Sequence, residues 1–319
     1  MGHAQVPGTG AMTTATLMVQ FKALQSARLP YYKGAVIRGG FGLAFRRVAC
    51  AFPKRECEAC LLRRKCVWSY VFATPRPEES TIMRKYETIP HPFVIDPLLD
   101  DRTRLERGDT LAFELTLIGR AIEHVPYFIY AFEQMAEQGL GPGRAKFTVD
   151  AVRQNGTLFY DAESKAITSP LALAHLELSS SKPVRQPDSK SATFRFLTPT
   201  RMTYEGRMAR RPAFHVVLRS LLRRIGLLAY FHDQAIEIDY VGLIKQAEEV
   251  GTTECSMGTY QWRRYSSRQD RAIDMDGMVG SATYEGEFGP FLPYLRAGEV
   301  LHVGKGTSFG MGKYKLEVK

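Results

Sequence analysis

The last seven residues, KYKLEVK (313–319), put Tyr314, Leu316 and Val318 on one side and Lys313, Lys315, Glu317 and Lys319 on the other. A period of two is the mark of a half-buried strand. The strand follows the turn GKGTSFGMG (304–312), which follows a short predicted helix around Phe288–Leu295. The same succession occurs earlier in the chain. VPYFIYAFEQMAEQGLG (125–141) reads as a helix opened by Pro126 and stopped at Gly139, GLGPG (139–143) is a glycine-rich turn, and RAKFTVDAV (144–152) alternates as a strand. A helix, a glycine-rich turn and an alternating strand, met twice, confine the chain to two sheet modules covered by helices.

The other segments fit that frame. TATLMVQFKAL (14–24) suits an opening strand, KGAVIRGGFGLAFRRV (33–48) a helix weakened by its glycines, and TLAFELTLIG (110–119) a strand with Leu111, Phe113, Leu115 and Leu117 on one face. In the second half ATFRFLTPTRM (192–202) alternates, and PAFHVVLRSLLRRIGLLAYF (212–231) is an amphipathic helix with Val217, Leu221, Ile225 and Leu228 in one stripe. A further strand is expected at 277–286. Both halves read β-α-β-β-α-β, the ferredoxin-like order. The expected fold class is α+β: tandem ferredoxin-like (RRM-like) modules over 13–177 and 191–319. A Ser/Pro-rich linker, LSSSKPVRQPDSK (178–190), joins them, and a cysteine-rich insertion at about 49–75 interrupts the first.

Charge narrows the partner. The formal net charge is +10, and it is clustered. Lys33–Cys66 holds nine Lys/Arg against two acids, and Arg201–Arg224 seven against one. Such patches favour a polyanion, nucleic acid before membrane. No apolar run reaches the roughly eighteen residues of a membrane span. The N-terminus has neither a basic n-region nor an apolar h-region, so the expected compartment is the cytoplasm.

The closing turn does not fit the familiar nucleotide loops. Thr307 stands where a Walker loop needs its first glycine, Tyr314 follows Gly312–Lys313, and Phe309 occupies a glycine position of the dinucleotide pattern. Both patterns also need a following helix, and here a strand follows. ATP and NAD are therefore poor readings. What remains is either a hairpin needing tight turns or a backbone passing close to a phosphodiester chain. In the latter, the amides around Gly304, Gly306, Gly310 and Gly312 would join Lys305 and Lys313 on phosphate.

CAFPKRECEACLLRRKC places Cys50, Cys57, Cys60 and Cys66 within seventeen residues. In a reducing compartment such a group favours metal over disulfides. The expectation is a structural zinc in a closed four-thiolate site, with an iron–sulfur cluster as the alternative. Lys54, Arg55, Arg63, Arg64 and Lys65 would offset its charge. WRRYSSRQ (262–269) joins Trp262 to Arg263, Arg264 and Arg268, suiting base stacking and phosphate contact, or else a strand with surface ion pairs. His215, Arg219 and Arg223 share a helical face that is either a nucleic-acid stripe or a solvated surface.

The stretch from WRRYSSRQ through DGMVGSATYEGEFGPFLPYLRAGEVLHVGKGTSFGMGKYKL resembles the C-terminal half of the CRISPR-associated endoribonucleases of the RAMP superfamily. LPYYKGAVIRGGFG, GDTLAFELTLIG, VPYFIYAFEQMAEQGLG and FLTPTRM are similar to the same family, and the likeness runs over about residues 18–317. It implies two RRM-like modules and metal-independent processing of CRISPR repeat RNA into crRNA. The ribose 2′-hydroxyl would attack in line, leaving 2′,3′-cyclic phosphate and 5′-hydroxyl ends. No catalytic cofactor is implied; the partners would be repeat RNA, crRNA and other CRISPR effector subunits. Many members carry a histidine base near the first helix, but this chain has none between His3 and His91. Tyr32 and Lys33 stand in its place, with Arg38 to stabilise charge and His91, in the loop IPHPFV, as the alternative base. A RAMP-type crRNA-binding scaffold without cleavage activity is the rival reading.

Overall fold

In the computed structural model, residues 10–52, 56–85, 88–178, 190–266 and 271–319 are described. The expected linker falls almost wholly outside them, as do Lys54, Arg55 and Arg268. The chain divides into two compact units, one of Thr13–Ala174 and one built on His175–Lys319.

The first unit is laid on strand β1 (Ala11–Ala23), helix α1 (Gly34–Ala49), β2 (Phe93–Asp96), β3 (Thr110–Ile118), helix α2 (Val125–Gln138) and β4 (Phe147–Gln154). The sheet order is β2-β3-β1-β4, antiparallel throughout, and it is continued by β5 (Thr157–Asp161) and β6 (Ala166–Ile167). The first four strands give the ferredoxin-like order. Register pairs Leu17 with Leu115, Val19 with Phe113 and Phe21 with Leu111. Because side chains alternate, those matched pairs all fall on the buried face.

Helix α1 buries Ile37, Phe41, Ala44 and Phe45, the i, i+4, i+7, i+8 spacing of one stripe. Its glycines have a packing reason. A Cβ on Gly40 would lie 2.9 Å from Leu140 Cδ2 and 3.2 Å from Met135 Cγ, so glycine lets α1 settle onto α2 and the turn after it. Phe41 sits at the centre of an aromatic cluster. Its ring centroid is 5.4 Å from Phe45, 5.2 Å from Phe72, 5.8 Å from Phe93, 5.4 Å from Phe128 and 4.8 Å from Phe132.

The second unit repeats the order with β7 (Ser191–Thr200), α3 (Phe214–His232), α4 (Tyr240–Glu248), β8 (Gly251–Tyr260), a small hairpin of β9 (Arg263–Ser266) and β10 (Arg271–Asp274), β11 (Gly277–Glu285), α5 (Leu292–Leu301) and β12 (Tyr314–Val318). Its main sheet runs β8-β11-β7-β12, again antiparallel and again ferredoxin-like. The stripe Val217, Leu221, Ile225 and Leu228 on α3 is buried as its spacing predicts. Two tyrosines tie helices to sheet: Tyr284 donates to the Pro212 carbonyl at 2.8 Å and Tyr314 to the Leu295 carbonyl at 2.5 Å.

Two details differ from the sequence expectation. The short helix expected around Phe288–Leu295 is α5, Leu292–Leu301, because Pro293 fits its first turn and cannot sit deeper in a helix. In each unit, the second strand of the ferredoxin order, β2 and β8, had not been placed from sequence. β2 has four residues, all buried, and most of β8 is exposed, so neither carries a period-two signal.

Phe41→Ala should cost about 3–5 kcal/mol. Urea unfolding of the full chain, followed by tryptophan fluorescence near Trp68, measures it; a loss below about 1 kcal/mol would mean that the cluster is not built around Phe41.

Candidate active site and nucleic-acid surface

Arg38 leaves the half-buried side of α1 and meets the loop before β2. Its guanidinium lies 4.3 Å from the centre of the Phe72 ring and 5.5 Å from that of Phe93. Arg38 Nη2 and His91 Nε2 are 3.4 Å apart. On the far side of the imidazole, Nδ1 is 3.3 Å from Thr74 Oγ1. The Thr74 hydroxyl spends its single proton on the Ile89 carbonyl, 3.0 Å away. It can therefore only accept from the imidazole, which puts the ring proton on Nδ1 and the lone pair on Nε2. His91 stacks on Phe93 with centroids 5.7 Å apart and planes at 15°. The result is an imidazole whose Nε2 faces a cation.

Sequence reasoning named Arg38 and His91 separately, and the structure brings them together. It missed Thr74, which adopts the left-handed backbone at φ 38. No sequence signal marks a threonine for that conformation, which favours Gly, Asn and Asp.

Tyr32 is half-buried just before α1. Lys33 is placed differently from the expectation of a base. It is 1% exposed, and Nζ donates to the Asp100 carbonyl at 2.6 Å. Burial lowers its pKa and Arg102 adds to that, while Asp100 and Asp101 oppose it. An ammonium so held ties the start of α1 to the loop after β2 and is turned away from any substrate.

In the second unit the glycine-rich turn uses all four glycines in left-handed backbone: φ is 83, 78, 82 and 79 at Gly304, Gly306, Gly310 and Gly312. At Gly312 a Cβ would collide with the Val303 carbonyl, so no other residue fits. The turn's amides are largely spent inside the fold. Val303 N–H bonds Gly312 O, Lys305 N–H bonds Arg201 O, Gly312 N–H bonds Pro199 O, and Lys313 N–H bonds Thr198 Oγ1. Phe309 N–H and Gly310 N–H close the short helical turn between them. Of the four glycine amides expected to cradle phosphate, those of Gly310 and Gly312 are thus spent inside the fold. The loop's outward charges are the exposed Lys305 and the half-buried Lys313.

Around WRRYSSRQ, Arg264 lies 4.8 Å over the Phe309 ring and so connects the hairpin to the glycine turn. Burial lowers its pKa. Arg263 forms an exposed ion pair with Asp274 at 2.6 Å, the surface-pair role; Trp262 is half-buried. On α3, His215 packs edge-on to Tyr204 with centroids 5.4 Å apart, and Arg219 lies 6.0 Å from the same ring. Arg219 and Arg223 also border a cleft of about 410 Å³ with Tyr240, Val241 and Lys245.

The four cysteines are free thiols, each half-buried. Cys66 Sγ points to the Ala49 carbonyl at 4.0 Å, and burial pushes the Cys57 thiol up against a hydrogen bond from Trp68 that lowers it. Among the described residues no three of His, Cys, Asp or Glu stand close enough to hold a metal ion.

Residues 12–172 match the AF_1859_N family (N-terminal domain), and residues 194–314 match the family of the CRISPR-associated endoribonuclease Cas6. An uncharacterized protein of Archaeoglobus fulgidus is 25% identical over 292 residues, covering 90% of this chain and 92% of the relative. Among solved structures, a Cas6 product complex has a TM-score of 0.57 at 18% identity, covering 95% of this chain and 100% of that one. Thermus thermophilus Cas6 gives 0.51 at 18% identity over 97% and 100%. A partial Cas6-RT-Cas1–Cas2 complex gives 0.55 at 14% identity over 98% of this chain and 47% of that one. At these identities the structures speak for the fold.

The burial of Lys33 has a measurable consequence. Lys33→Met should cost about 1–3 kcal/mol by leaving the Asp100 carbonyl unbonded. Because burial depresses the folded-state pKa, the unfolded chain binds the proton more tightly. Wild-type stability should therefore rise relative to Lys33→Met as pH climbs from the lowered folded value towards the ordinary 10.5. Urea titrations at several alkaline pH values test this, and a fall over that range would contradict it.

Proposed function

We propose that this chain, which belongs to the AF_1859_N family by residues 12–172 and matches the Cas6 endoribonuclease model over residues 194–314, is a CRISPR-associated, RAMP-type repeat-RNA processing protein that cuts repeat RNA without a metal, with His91 as base and Arg38 as the charge that receives the phosphate. The Arg38–His91 pair is the observation that carries this assignment. His91 Nε2 takes the proton of the ribose 2′-hydroxyl, and the oxygen attacks the adjacent phosphorus. The P–O5′ bond then breaks, leaving a 2′,3′-cyclic phosphate, and the departing 5′-oxygen takes a proton from the imidazolium or from the Tyr32 hydroxyl. Arg38 forks onto the phosphorane oxygens as charge builds there.

Geometry allows the exchange this needs. A 3.4 Å contact is at the long limit for a hydrogen bond, so little is lost when the guanidinium turns from the imidazole to a phosphate. Lys33 is dropped from the machinery because its ammonium is buried and bonded. In the second unit, Lys305, Lys313 and Arg264 supply cationic contacts to the RNA, and Trp262 is the ring available for stacking. Cytoplasmic residence and association with other CRISPR subunits follow from the same function.

Cleavage of repeat RNA in EDTA tests the proposal. The expected result is a single cut per repeat with a cyclic phosphate end, abolished by one 2′-deoxy substitution before the scissile bond. His91→Ala should slow the cut by about 10²–10⁴-fold while leaving RNA retention intact. Retention without any product would instead favour a crRNA-binding scaffold. Lys305→Ala should weaken binding and reduce the log–log salt slope by roughly 0.7, the value for one single-strand phosphate contact; an unchanged slope would remove Lys305 from the RNA surface.

A further inference from the structure

Arg223 and Arg224 are neighbours on α3, yet only Arg223 faces outward; Arg224 is 8% exposed. Its Nε donates to the carbonyl of Leu301, the last residue of α5, at 2.7 Å. Its Nη2 is buried and, among the described residues, has no hydrogen-bond partner. Burial alone pushes its pKa down to about 9, which still leaves the group charged near neutrality. A buried cation resting on a neutral carbonyl is a poor way to stabilise a core. An apolar side chain of similar length commonly does as well or better.

The position of the accepted bond explains what the cation does. Leu301 is the point from which the glycine-rich loop departs. The next residue, His302, is a non-glycine at φ 60, and its Nδ1 is 3.1 Å from the Met311 carbonyl. Val303 N–H then bonds Gly312 O at 2.9 Å. A positive charge at the carbonyl end of a helix is favourable, and here it pins that end. We propose that Arg224 is a positioning residue for the glycine-rich loop: through Leu301 it fixes the end of α5 and holds Lys305 in register with repeat RNA. The inference rests on the RNA-processing function above and adds a residue that contacts no RNA.

The test compares wild type, Arg224→Met, Arg224→Lys, Lys305→Ala and the double variant Arg224→Met/Lys305→Ala as full chains. Anisotropy of fluorescein-labelled repeat RNA, thermal unfolding and hydrogen exchange over 301–312 are measured. Arg224→Met should melt no lower than wild type, exchange faster across the loop and bind RNA about tenfold more weakly, with Arg224→Lys between the two. Adding Lys305→Ala to Arg224→Met should cause little further loss, because the lysine has already lost its place. Wild-type exchange in Arg224→Met, unchanged RNA affinity, or fully additive losses would each overturn the proposal. Failure of both Arg224 variants to fold would make the residue structural and overturn it too. If wild type itself binds no repeat RNA, the proposed function falls, and the exchange measurement still decides whether Arg224 holds the loop.

Discussion

The contact on which the first unit's chemistry depends is the guanidinium of Arg38 lying over Phe72. Phe72 is where it is because Phe41 packs against it, and Phe41 also packs against Phe93, the ring under His91. Apolar packing thus comes first and sets the polar geometry. A cation over an aromatic face gives up part of its hydration, and its N–H groups are confined to directions around the ring edge. One of those directions leads to His91. The imidazole is fixed from the other side by a threonine whose own proton is already committed. The imidazole is thus held between Thr74 and Phe93, which is what a base held for in-line attack requires.

The second unit solves a different problem. Its glycine-rich turn must reverse the chain between α5 and β12 in very little space, and it does so with left-handed backbone at every glycine. The amides that such a turn exposes elsewhere are consumed here by Arg201, Pro199, Gly312 and Thr198. Backbone therefore makes the loop rigid, and its exposed lysine is what it presents to a partner. A rigid loop carrying an exposed lysine loses less entropy on meeting a polyanion than a mobile one would.

The fold was largely legible because its signals are periodic. Alternation at 110–119 and 313–319, and the stripe through Val217 and Leu228, describe surfaces that one-sided burial must produce. The strands that escaped are those for which burial is not one-sided: β2, buried on both faces, and β8, mostly exposed. The candidate site was legible by residue type and not by arrangement. Lys33 looked reactive beside Tyr32, but whether an ammonium faces solvent depends on a carbonyl at Asp100, far along the chain. Thr74 carried no signal because its role comes from a backbone conformation and from the carbonyl of Ile89.

On the proposed mechanism, with the base taken from the loop ahead of β2, Arg38 would have two tasks. Arg38 faces the same lone pair that has to accept the 2′-hydroxyl proton. Left there it would block that lone pair from the hydroxyl. A phosphate, offering a charge-assisted bond of about twice the strength, would draw the guanidinium away. The imidazole would then be uncovered beside the scissile phosphate. On that mechanism, binding the correct phosphate and switching on the base would be one event, and single-stranded RNA that docks without seating its phosphate on Arg38 would stay uncut. Specificity for the cleavage position can arise from that coupling without any base being read at the active site.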